Sequence, residues 1–241
     1  METSIKDPKA VALITGPTAP DPETAARWLE GQRRGRLLDG LWRQDLQRAL
    51  SGEFEPTRLR LQGPVDVTKN LFRSLITQIA VLYDQAPLVV HEDPRAALVM
   101  EQVTDDAGLW QLATSHQQSV LGLREGGYRL DVPPSTGELL VRVVPAYLLW
   151  AEAAPHDPDV PVTVHEYRIR CDEKGREMWT RDVLSIADPD RPVYRVESAD
   201  GKLDMSALFL GGSLSGDAYP YRFADGKPFL PFSLYHATRT G

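Results

Sequence analysis

Apolar and polar positions alternate with a period of two through Tyr128-Arg129-Leu130-Asp131-Val132. Successive side chains leave a strand on opposite faces, so this spacing predicts a strand with one face buried and one wet. Pro133-Pro134-Ser135-Thr136-Gly137 interrupts it, because two consecutive residues lack an N–H for a ladder. Residues 139–144 form a second predicted strand, with Arg142 between apolar neighbours, and Pro145 ends it. The chain then reads as a loop through Pro155-His156-Asp157-Pro158-Asp159, and alternation resumes over 162–170. Asp172-Glu173-Lys174-Gly175 is a hairpin turn, polar and ending in glycine. Residues 176–184 are the expected partner strand, with Met178 and Val183 inward. A short strand over 193–197 lies between turns at 188–192 and 199–201. Residues 219–223 and 229–236 read as a closing strand pair around Ala224-Asp225-Gly226. Between them, 202–218 holds Gly211, Gly212 and Gly216, and its one apolar cluster, Leu208-Phe209-Leu210, is short; this segment is expected to be mobile or inserted.

Ahead of the strands the period changes to three and four. Asp21 or Pro22 opens a helix, and Leu38, Leu41, Trp42, Leu46, Ala49 and Leu50 form an apolar stripe, with Gly31, Gly35 and Gly40 weakening its first half. Asp66 or Thr68 is expected to cap a second helix, whose core face is Leu71, Phe72, Leu75, Ile76, Ile79, Leu82 and Tyr83. A third helix is expected from Pro94 to about Val103. A fourth, capped by Asp105 or Asp106, carries Leu109, Leu112, Ala113, His116, Val120 and Leu121 and closes at Gly126-Gly127. Helices first and strands after predict an α+β fold: N-terminal helices followed by a mainly antiparallel sheet region. The expected division is a flexible tail over 1–22, a helical region over 23–125 and a β-rich region over 126–241.

Composition narrows the classes. The chain has 241 residues, 42% of them hydrophobic and 25% charged, so it can bury a core and needs no disorder. No run approaches the ~20 apolar residues of a membrane helix. Cys171 is the single cysteine, so no internal disulfide forms. The net charge of −7 argues against nonspecific wrapping of nucleic acid. Locally, Arg27, Arg33, Arg34, Arg36, Arg43 and Arg48 outnumber Glu30, Asp39 and Asp45, which reads either as a solvated helix face or as a contact for phosphates or an acidic partner.

Candidate chemistry is sparse. His91-Glu92-Asp93 follows an apolar run, and either Asp93 caps the next helix or the three polar groups join others from elsewhere in a site. His156-Asp157-Pro158-Asp159 lacks the spacing and the glycine of a calcium loop. His165 and Glu166 are neighbours on a strand and point to opposite faces, so they cannot act as one pair. Cys171 lacks the positive surroundings that activate a thiol. His116 lies among apolar helix positions and reads as a core histidine. Phosphate loops, nucleophile elbows and zinc-protease or paired-cysteine motifs are missing from the sequence. The residues therefore nominate no catalytic, cofactor-binding or metal-binding residue, and no cofactor is expected.

The order of segments resembles tailed-bacteriophage portal proteins, the head-to-tail connector subunits of the capsid. Three places carry the resemblance, which covers the chain from about Arg33 onward. Residues 70–83, beginning at Asn70 and followed by Ala86-Pro87, resemble an early portal helix. Gly126-Gly127-Tyr128 through Pro145, with Pro158-Asp159-Val160-Pro161 beyond, resembles the wing region. Tyr219-Pro220-Tyr221-Arg222 and Asp225 to Phe232 resemble the segment before such chains enter their central region. The resemblance implies a structural, non-enzymatic subunit of a homo-oligomeric ring in the virion, assembled in the cytoplasm of a bacterial host. It implies contacts with capsid, packaging terminase and neck and tail proteins, and double-stranded DNA passing through the ring during packaging and ejection. Portal subunits continue into stem, clip and crown segments, whereas this sequence stops at Gly241, so truncation of the β-rich region is expected. Two other readings stay open: a hydrolase with a scattered site such as His91, Asp93 and His165, and a monomeric α+β binding module.

Overall fold

The structure, a computed structural model, describes residues 22–41, 70–80, 90–132, 138–172 and 174–236. Its helices are α1 (Pro22–Leu38), α2 (Leu71–Ile79), α3 (Pro94–Asp106), α4 (Leu109–Leu123) and a short α5 (Ser206–Leu210). Its strands are β1 (Glu125–Asp131), β2 (Leu140–Pro145), β3 (Leu149–Ala154), β4 (Asp157–Cys171), β5 (Glu177–Ser185), β6 (Val193–Ser198), β7 (Leu214–Ser215) and β8 (Phe232–His236). The fold is α+β, with helices before antiparallel sheets. Among the described residues no helix is long and apolar enough to cross a membrane. The tail over 1–21, the stripe beyond Leu41, the second helix's predicted caps at Asp66 and Thr68 and its end at Leu82-Tyr83 lie outside the described residues.

The described residues group into two compact units. One holds residues up to Leu29, Gly127–Asp131 and Val144–Leu234; the other holds the rest. The first is built on a five-stranded meander in the order β3-β4-β5-β6-β7. β4 is its longest strand, and the turn after Asp172 fixes its register with β5: Cys171 faces Glu177, Ile169 faces Trp179 and Glu166 faces Asp182. Val164, Tyr167, Leu184 and Val196 are fully buried. Trp28 of α1 packs edge-on against Tyr167, with ring centroids 5.3 Å apart, and its indole N–H donates to the Leu149 carbonyl at 3.3 Å. A second sheet has the order β2-β1-β8, and the Leu130 N–H donates to the Pro231 carbonyl at 2.8 Å.

Four sequence expectations change in this unit. Residues 149–154, expected as loop, form β3, an edge strand that pairs with β4 from Leu149↔Glu166 to Ala154↔Asp157. Its Ala-Glu-Ala-Ala run carries little strand propensity, and pairing with β4 overrides that. Met178 is only half-buried, while Thr180 and Asp182 are enclosed, because both faces of β5 are covered near its middle. Residues 219–223 and 229–236 share one bridge, Arg222↔Pro228, and β8 leaves to pair with β1. Finally, 202–218 is packed: Ser206 Oγ accepts the Val196 N–H at 2.9 Å, and Phe209, Leu210 and Leu214 lie against Leu184, Tyr194, Val196 and Tyr219. The cluster is too short to form a core alone, and it docks on one that the sheet already provides.

In the other unit α2 and α3 both pack on α4. α1 passes Gly31 and Gly35 unbroken and ends before Gly40, whose φ of 79° suits glycine. α2 is capped by Asn70, whose side chain accepts the Arg73 N–H at 3.0 Å. Its expected core face is largely open: Leu71, Leu75 and Ile79 are exposed. Periodicity identifies an apolar stripe but not what lies opposite it. α4 begins at Gly108, not after an aspartate cap, because Asp105 and Asp106 belong to α3. It closes at Arg124 with φ 70°, the one described non-glycine residue in that region, leaving Gly126 and Gly127 inside β1. A Cβ on Gly126 would lie 3.1 Å from His116 Cε1 and 3.2 Å from Val120 Cγ2, so close approach, not helix termination, requires glycine there.

Candidate functional site

The densest polar constellation is buried inside the sheet unit. Period-two spacing puts Arg129 on the wet face of its strand, yet it is 1% exposed. The reason lies in the β4–β5 register, which sets Glu166 opposite Asp182. Two carboxylates facing each other away from water repel and need a cation. Arg129 reaches them from β1: its Nη1 donates to Glu166 and, at 2.8 Å, to Asp182 Oδ2. Its Nε donates to Asp131 at 3.0 Å and its Nη2 to Tyr194 Oη at 3.1 Å. Tyr194 in turn donates to Asp182 Oδ2, and Tyr221 donates to Asp131 at 2.8 Å. Arg170 Nη2 donates to both Asp182 oxygens at 2.8 Å, and Arg168 stands 3.8 Å from Asp182. The guanidinium of Arg129 also lies over the Phe232 ring, and that of Arg170 over Phe209.

Electrostatics fix the charge states of Asp182 and Arg129. Burial by itself would raise the Asp182 carboxyl, but Arg129 and Arg170 outweigh it and hold it below its ordinary value. Burial opposes the Arg129 charge, and Glu166 and Asp182 overcome that, raising its pKa. Asp182 thus holds no proton to give at neutral pH, and Arg129 gives none up. Arginines 129, 168 and 170 stand against Asp131, Glu166 and Asp182, three charges of each sign. The arrangement is a clamp between strands.

A second group occupies the opposite face of the sheet. His165 stacks on Trp150 with centroids 4.2 Å apart, and its Nε2 lies 3.3 Å from Glu152 Oε1. Thr163 and Ser185 hydroxyls, 2.8 Å apart, sit on the same face. Arg181 donates to Glu197, which Arg195 also meets at 2.6 Å. Burial, then the Arg181 charge, lowers the His165 pKa to about 4. The imidazole is therefore neutral at physiological pH and a weak base.

The residues raised by the sequence scatter. His91 and Asp93 are exposed in the turn before α3: Asp93 caps that helix by accepting the Arg95 N–H at 2.9 Å, and its own N–H donates to His91 Nδ1 at 3.0 Å. They belong to a different compact unit from His165, so the set His91, Asp93 and His165 is not gathered within either unit. His116 is buried in α4, which lowers its pKa. His165 and Glu166 do point apart, one to Glu152 and the other to Arg129. Cys171 is exposed at the end of β4. Among the described residues no three His, Cys, Asp or Glu side chains converge to hold a metal ion. Compared with known protein families and with curated proteins, the chain matches none.

Proposed function

We propose that this chain is a structural subunit of a homo-oligomeric ring, of the kind that phage portal proteins form, and not an enzyme. One observation carries the assembly part: α2 and α3 expose Leu71, Leu75, Ile79, Leu98, Val99 and Val103 together. Monomers rarely leave so much apolar surface in water, and a partner surface would remove it. The portal part rests on the resemblance of 70–83, 126–145 and 219–232 to that family. On this reading the ring stands at a capsid vertex in the virion, passes double-stranded DNA, and docks the packaging motor, capsid and tail. The internal balance of the Arg129 cluster agrees with a structural role. Native mass spectrometry with electron microscopy of the purified protein tests it. Closed rings of one mass are expected; a particle that stays monomeric at every concentration leaves a monomeric α+β binding module in its place.

A hydrolase is the second reading, favoured by the His165–Glu152 pair beside the Thr163 and Ser185 hydroxyls. The low pKa of His165 weighs against it, because such an imidazole takes up a hydroxyl proton poorly. Turnover of a simple ester by the native protein, abolished in Ser185→Ala, would favour this reading over the first.

A further inference from the structure

We draw no further inference here: the strongest candidate, the surface patch formed by the exposed apolar stripes of α2 (Leu71, Leu75 and Ile79) and α3 (Leu98, Val99 and Val103), carries nothing beyond the assembly reading above, because nothing in the structure shows what covers these two helix faces.

Discussion

At the scale of single residues, Arg129 holds apart two carboxylates that the sheet register forces together. Removing it leaves Glu166 and Asp182 facing each other in a buried site, with Arg168 and Arg170 still beside Asp182. Breaking a buried ion pair from one side typically costs about 3–5 kcal/mol. Arg129→Met should lose that much in urea unfolding, and Arg129→Met with Glu166→Leu should recover at least half of it. A single variant within about 1 kcal/mol of the native protein would mean that water reaches the cluster. His165 gives a second prediction, with a sign set by its depressed pKa. The folded state resists protonating the ring until about pH 4, whereas the unfolded chain takes the proton near the ordinary 6.5. Its contribution is whole above pH 6.5 and lost as pH falls toward 4, by roughly 3 kcal/mol at most. His165→Phe should therefore show a shallower fall in urea midpoint between pH 7 and 4.5 than the native chain. Parallel curves would show that His165 is solvated in the folded state.

At the scale of elements, an apolar stripe and a buried face are different things. Leu75 sits mid-stripe in α2 and is 57% exposed, while Leu184 in β5 is fully enclosed. Leu184→Ala should cost about 2–5 kcal/mol, as cavity-forming core substitutions do. Leu75→Glu should move the stability of the isolated subunit by no more than about 0.5 kcal/mol, as surface changes do. Thermal melts at low protein concentration compare the two, and equal losses would put the α2 face back inside. The contrast also marks how far the sequence reaches. β1, β2, β4, β5 and β6 were legible because alternation and turn residues are local. β3 was not, since its alanines take their conformation from β4. The Arg129 clamp was not legible. The expected four-residue turn 172–175 would set Glu166 opposite Arg181, whereas the observed register, with Cys171 opposite Glu177, brings Asp182 there and demands a cation from another strand. Which of the arginines supplies it depends on long-range packing, and local alternation assigned Arg129 to water.

At the scale of the molecule, the arginines nearest the sheet core are already occupied by carboxylates. Arg129, Arg168 and Arg170 serve Asp182 and its neighbours, and Arg181 serves Glu197. The net charge of −7 opposes the approach of a polyanion such as DNA. A subunit that lines a passage for DNA benefits from this, because each phosphate contact adds a salt-dependent hold that resists sliding. The same feature separates a conduit from a binder, whose affinity falls steeply with salt: each contact steepens the plot of log K against log salt by about 0.9. Fluorescence anisotropy with a short duplex should therefore show weak binding and a slope shallower than about −2 across a salt series. Arg33 of α1 is one of the exposed cations that would supply such a contact, and Arg33→Ala should flatten the slope further. A slope of about −6 or steeper would describe a protein that grips the duplex through many phosphates. The solvated-face reading of the α1 arginines would then give way to a nucleic-acid contact.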